Sequence, residues 1–161
     1  MKTDISLKEL LATLPQKGTL RWIGLRPARR EPLCVVDKAT LCSNSGLIDD
    51  RYAGRSGKRQ VTLVQYEHLQ AIAALLHCDR IDPALLRRNL AVSGINLLAL
   101  KGKQFAIGSA TLEFTGLCHP CSRMEELFGA GGYNAVRGHG GITARVVSGG
   151  EIALKDTVSA L

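Results

Sequence analysis

Apolar residues first recur at helical spacing. Leu7, Leu10, Leu11 and Leu14 share one face of a helix predicted over residues 6–14, with Ser6 or Asp4 as its cap. Pro15 and Gly18 end it. Strands are predicted over 19–25 and 33–41, then a long polar loop over 42–58 that holds Asp49, Asp50, Arg51, Arg55 and Lys58. The pattern alternates again over 59–65, with Val61, Leu63 and Gln65 on one side. Residues 66–76 form a helix with a stripe of Leu69, Ile72, Ala73 and Leu76. Asp82-Pro83 starts a short helix that carries Arg87 and Arg88. Short strands follow at 90–93, 104–107 and 111–115, punctuated by Gly94, Gly102 and Gly108. Residues 142–147 and 151–154 are expected to pair around the turn Ser148-Gly149-Gly150.

Many short strands, few helices and frequent glycine turns predict a mainly β fold, a barrel or a β-rich α+β domain with a few short helices. No regular βαβ alternation, repeat or linker is visible. The 161 residues suit one domain over 19–161, with residues 1–18 as a helical extension.

Composition narrows the function. Hydrophobic residues make up 45% and charged residues 22%, the values of a globular protein. No apolar run has the length of a membrane span, and Met1-Lys2-Thr3-Asp4 lacks the start of a signal peptide, so a soluble, cytoplasmic protein is expected. The five cysteines are odd in number, which argues against a disulfide framework and for reduced thiols. Cys34, Cys42 and Cys78 read as small packing residues. The net charge is +7, with arginines grouped at Arg21, Arg26, Arg29 and Arg30, at Arg51, Arg55 and Arg59, and at Arg87 and Arg88. Such a field suits an anionic ligand. Nucleic acid is disfavoured: aromatics are only 4%, and no nucleic-acid-binding motif appears.

The chemistry concentrates in Cys118-His119-Pro120-Cys121-Ser122-Arg123-Met124. A strand precedes this segment and a helix follows, with Met124, Leu127 and Phe128 facing the core and Ser122 as candidate cap. Cys121 then sits at a helix start, where unpaired N–H groups and the helix dipole favour an anion, and Arg123 and His119 add positive charge. A thiolate there attacks sulfur, carries a persulfide or binds a soft metal. Cys118 is close enough in sequence to resolve an oxidised Cys121. A thioredoxin-like site fits the C-x-x-C but not its position, since only 40 residues follow Cys121. Zinc needs more ligands than the spacing of His68, His77, His119 and His139 supplies. A single reactive cysteine in a cofactor pocket and a merely structural pair both stay open. Nine of the 17 glycines lie between Gly116 and Gly150, with Arg137 and His139 among them. A glycine-rich basic loop of this kind cradles phosphate, although no Walker or dinucleotide motif is present.

Ordered short motifs carry a resemblance. They are Gly46-Leu47-Ile48-Asp49-Asp50-Arg51-Tyr52-Ala53-Gly54, Arg59-Gln60-Val61, Arg88-Asn89-Leu90, Gly94-Ile95-Asn96-Leu97, Ile107-Gly108, Pro120-Cys121-Ser122-Arg123 and Gly141-Ile142-Thr143-Ala144-Arg145-Val146. Together they resemble the MOSC family, named for the C-terminal domain of molybdenum-cofactor sulfurases, over roughly residues 22–158. The resemblance implies a barrel similar to the pyruvate kinase β-barrel domain. It implies that Cys121 is the family's hallmark cysteine, either ligating molybdenum or carrying sulfur. It also implies that Arg59, Arg88, Asn89 and Arg123 are pocket residues for molybdopterin, an anionic pterin whose phosphate suits arginine. His139 is a candidate hydrogen-bond or proton donor to the cofactor.

Two functions follow from the resemblance. One is a molybdenum-cofactor-binding domain that reduces N-hydroxylated substrates. The other is a sulfur carrier that holds a persulfide on Cys121, supplied by a cysteine desulfurase, for cofactor or metal-sulfur cluster maturation. A plain interaction module is the third expectation. The extra N-terminal region of amidoxime-reducing relatives has no counterpart here, which implies an electron-transfer protein as partner or no redox turnover. The chain departs from the family at Asp49 and Lys155, where relatives often have glycine. The Asp49-Asp50 pair is expected to face Arg51 or Arg55.

Overall fold

The computed structural model describes residues 4–51 and 56–161. Arg55 and the motif piece Tyr52-Ala53-Gly54 lie outside the described residues. Helix α1 (Leu7–Ala12) begins with a capping box, in which the Ser6 hydroxyl accepts from the Glu9 amide and the Glu9 carboxylate accepts from the Ser6 amide. Its leucine face is not buried. Leu7, Leu10 and Leu11 are exposed, and only Leu14, beyond the helix, packs on the core.

Strand β1 (Gly18–Leu25) follows. The one strand expected over 33–41 is two. Cys34–Val36 (β2) pairs with the end of β1, and the chain then bends at Asp37 so that Lys38–Cys42 (β3) joins a different sheet. The expected loop over 42–58 contains Gly46–Leu47 (β4), paired back on β3. Next come β5 (Val61–Gln65), α2 (Tyr66–Leu75), a 3-10 turn Pro83–Leu86, and β6 (Leu90–Ser93). A second 3-10 turn, Leu97–Leu100, leads into β7 (Gln104–Ile107) and β8 (Ala110–Leu117). The last elements are α3 (Ser122–Phe128), α4 (Gly132–Val136), β9 (Ile142–Ser148), β10 (Gly150–Ala153) and β11 (Thr157–Ala160).

Seven strands close a barrel in the order β1-β6-β5-β9-β8-β7-β11, and β11 returns to β1 through Gly18↔Val158 and Thr19↔Thr157. All neighbours are antiparallel except β5 and β6. A parallel pair needs a crossover, which α2 and the first 3-10 turn provide. The pair expected between 142–147 and 151–154 does not form. β9 sits inside the barrel wall, while β10 pairs with β3 in a small sheet β10-β3-β4, where Ile152 and Leu41 are both buried in the barrel core.

That core fills the barrel with residues such as Leu20, Ile23, Leu63, Phe105 and Leu112. A second cluster lies outside the wall, where Val64 and Ala91 meet Leu69 and Ile72 of α2, Leu86, Met124 of α3 and Val136. Strand β5 is therefore covered on both faces, and Val61 to Val64 are all buried rather than alternating. The helices on this wall hold the functional segment in place. Among the described residues, no helix is long and apolar enough to cross a membrane.

Candidate active site around Cys121

The segment of interest leaves the barrel at the end of β8. The Cys118 amide donates to the Gly141 carbonyl at 2.8 Å, extending the β8–β9 ladder by one residue. The chain then turns through His119 and Pro120 into α3. Cys121, not Ser122, is the residue at the N-cap of this helix, with extended backbone (φ −126°, ψ 179°), and its carbonyl accepts from the Met124 amide at 3.0 Å. Met124 buries itself in the outer cluster and anchors the helix, which leaves the Cys121 thiol exposed.

Cys121 faces a pocket of about 300 Å³. Arg26, Arg29, Arg30 and Arg51 line one part of it, and Arg87, Arg88 and Arg123 another. Among the described residues the opposing carboxylates are Glu126, on the rim, and the buried Asp50 behind Arg26. Glu126 accepts from Arg123 at 2.7 Å and from Arg30 at 3.5 Å, and the Arg123 hydrogen bond holds its carboxyl below the usual range. Arg123 Nε is buried with no hydrogen-bond partner. The crowding is electrostatically unfavourable. Burial, then Arg123, Arg26 and Arg51, push the Arg87 pKa below the ordinary arginine value. An anion in the pocket relieves that repulsion.

Two site candidates turn out to be the pocket's framework. Arg87 adopts a left-handed backbone (φ 57°) after the first 3-10 turn, and Arg88 is then only 8% exposed. Its Nε donates to the Gly140 carbonyl at 2.7 Å and its Nη1 to Leu86 at 3.0 Å, while Nη2 reaches the carbonyls of Cys118 (3.4 Å) and His119 (3.3 Å). Burial lowers the Arg88 pKa, with the Cys118 and Cys121 thiols opposing and Arg26 and Arg59 adding to the effect. Arg88 thus staples the cysteine segment to the glycine-rich segment. Asn89 is fully buried. Its Oδ1 accepts from the Thr62 amide (3.0 Å) and hydroxyl (3.2 Å), and its Nδ2 donates to the Gly24 carbonyl (3.2 Å) and Asp50 Oδ1 (3.0 Å). Asp50 in turn accepts from the backbone amide, Nε and Nη2 of Arg26 at 2.8, 3.1 and 2.9 Å. Arg26 is therefore the partner of Asp50, where Arg51 or Arg55 had been expected.

Arg59 and His139 do not line the Cys121 pocket. Arg59 points to the other cysteine, with Nη2 4.0 Å from Cys118 Sγ. His139 stacks edge-on to His68, with ring centroids 4.8 Å apart, and its Nδ1 is buried without a partner. Cys118 is buried and is among the lining residues of another cleft, so the two cysteines of the C-x-x-C do not share a pocket. All five cysteines are free, and among the described residues no three metal-binding side chains converge. Arg26, Arg29, Arg30, Arg51 and Arg87 are the pocket residues that the motif reading missed. Their signal was the grouping of arginines, which shows a charge cluster but not what it surrounds.

A closed seven-stranded barrel with one exposed cysteine at a helix start, inside an arginine-lined pocket, defines the class. The MOSC domain profile matches residues 47–159, and the chain belongs to the MOSC domain family, which is associated with molybdenum-cofactor binding. Among solved structures, the YuaD protein from Bacillus subtilis superposes with a TM-score of 0.77 at 20% identity, covering 91% of this chain and 97% of that one. YiiM from Escherichia coli gives 0.68 at 17% identity, covering 89% and 69%, and YiiM from Geobacillus stearothermophilus gives 0.71 at 12%, covering 89% and 75%. These likenesses show the shared fold. No curated protein matches the chain in sequence.

Proposed function

We propose that the Cys121 pocket holds the molybdenum cofactor, with the Cys121 sulfur as a metal ligand and the surrounding arginines as partners of its phosphate. The observation that carries this reading is a pocket lined by seven arginines and by one exposed cysteine at a helix start. The residues fit such a group: a thiolate is a soft donor suited to molybdenum, and arginine forks match phosphate oxygens. The orphaned Arg123 Nε is a donor already desolvated on a residue that lines the same pocket. When bound, the cofactor supplies two-electron redox chemistry, here directed to the reduction of N-hydroxylated substrates. Arg29, Arg51 and Arg87 would bind the anionic end of the cofactor, and Arg26 is held by Asp50 as a fixed wall. Arg88 and Asn89 act as positioning residues that set the Cys121 loop rather than as direct ligands. The cationic rim favours an acidic electron-transfer protein as donor. The unpaired state of all five cysteines supports a reducing, cytoplasmic setting.

The exposure of Cys121 also favours a second reading, because a thiol open to solvent is accessible to a cysteine desulfurase. In that reading Cys121 carries a persulfide for cofactor or metal-sulfur cluster maturation. Metal and pterin analysis of the protein from a molybdate-supplied host, beside Cys121→Ala, separates the two. Molybdenum near one per chain, lost in Cys121→Ala, supports the first. Protein free of molybdenum and pterin, from a host shown to make the cofactor, refutes it. Intact mass showing one added sulfur on Cys121 after desulfurase treatment then supports the second.

A further inference from the structure

A second cleft, on the Cys118-His119-Pro120 side of the cysteine segment, does not include Cys121 in its lining. It holds about 420 Å³, within the usual size range of small-molecule sites, and no function above uses it. Leu97, Leu98, Leu117, Pro120 and Ile142 make its apolar lining, and Leu98 and Leu117 remain exposed at 54% and 46%. Asn96, His68 and His119 add hydrogen-bonding groups around that lining, and Arg137 reaches it from the turn after α4. Arg137 makes no ion pair or side-chain hydrogen bond among the described residues, and none of the cleft's lining residues is a carboxylate. Burial and the neighbouring His139 hold His68 below the usual histidine range, so its ring is neutral near pH 7.

The cleft is built rather than incidental. Its wall at Gly141 has φ +90°, and a Cβ there would collide with the Leu63 carbonyl. A Cβ on Gly140 would strike the Cys118 carbonyl. The two segments therefore approach at backbone distance, and Arg88 ties them from behind through Gly140, Cys118 and His119. A preformed apolar cavity beside one unpaired cation has a specific complement: a flat apolar body that carries one negative group.

We propose that this cleft is a second ligand site, for a small aromatic anion, with Arg137 pairing the anionic group and the leucine wall covering the ring. The site does not depend on what Cys121 holds. Buried Cys118 is among its lining residues.

The test uses the full chain and 8-anilinonaphthalene-1-sulfonate as probe, followed by fluorescence and calorimetry. Peptide-resolved alkylation of Cys118 by iodoacetamide is measured in parallel. The expected result is one saturable site that slows Cys118 alkylation. Arg137→Glu and Leu98→Asp should each weaken it by roughly tenfold or more, the scale of a lost charged contact or apolar contact surface. Both side chains are exposed, so neither change endangers the fold. Cys121→Ser and Arg29→Glu should bind as the parent does, and the uncharged N-phenyl-1-naphthylamine should bind more weakly. Absence of saturable binding overturns the proposal. So does unchanged affinity in Arg137→Glu and Leu98→Asp, or a loss caused by Arg29→Glu, which would put the anion in the Cys121 pocket.

Discussion

Arg88→Met separates a structural guanidinium from a ligand-binding one. The substitution keeps an unbranched chain of similar volume and removes every donor. Four backbone carbonyls, those of Leu86, Cys118, His119 and Gly140, lose their partner. Two of these bonds are short, at 2.7 and 3.0 Å, and two are long, at 3.4 and 3.3 Å. Counting only the short pair at about 1.5–3 kcal/mol each, the scale for hydrogen bonds to a charged group, gives about 3–6 kcal/mol. Relief of the buried charge offsets part of this, because burial already disfavours charged Arg88. A net loss of about 3 kcal/mol remains, which for a domain of this size lowers Tm by roughly 6–12 °C. Differential scanning calorimetry and urea titration measure it. Arg88→Lys keeps the charge but not the fork, and should fall between the two. A variant that unfolds within about 2 °C of the parent while losing only anion affinity would refute the staple.

Three further outcomes follow from the same structure. Lys155 holds φ +76°, so Lys155→Gly should stabilise by about 0.5–1 kcal/mol, the left-handed strain less glycine's chain entropy, read as a rise in Tm; Asp49 (φ 71°) should gain less, since aspartate tolerates this region. Asp50→Ala leaves Arg26 without its carboxylate and Asn89 Nδ2 with the Gly24 carbonyl alone, and should cost about 3–5 kcal/mol in urea unfolding. An Arg26→Met, Asp50→Ala double variant that is no less damaged than the sum of the singles would count against the pair. His68 has a folded pKa below that of an unfolded histidine, about 6.5, so the unfolded chain binds the extra proton first. Its stabilising contribution is full above that pH and lost as pH falls through the folded value. Tm against pH should therefore drop less steeply below about pH 6.5 in His68→Gln than in the parent.

Local chemistry made part of this protein legible in its sequence. The period-2 pattern and glycine turns pointed to a mainly β fold, and β1, β6, β7 and the helix α2 lie where the pattern put them. Cys121 at a helix start was legible too, because a strand end, Pro120 and the spacing of Met124, Leu127 and Phe128 are all short-range signals. Partner choice was not. Hydrophobic alternation says that a strand has an inner face, but it does not say which edge it will join. Residues 33–41 therefore read as one strand, although the bend at Asp37 sends β3 to β10, and β9 and β10 read as a hairpin that does not exist. The same limit governs the polar residues. Arg88, Asn89 and Asp50 looked like pocket groups or surplus charge in sequence. Their donors and acceptors are satisfied by Gly140, Cys118, Thr62, Gly24 and Arg26, residues far away along the chain. A side chain's charge is fixed by its type, whereas its freedom to meet a ligand depends on which groups folding packs around it. The sequence by itself thus determined most of the elements, the charge and the place of Cys121 at a helix start. Only the closed barrel decided that arginines from four separate segments line the pocket of Cys121, while Arg59 and His139 lie outside it.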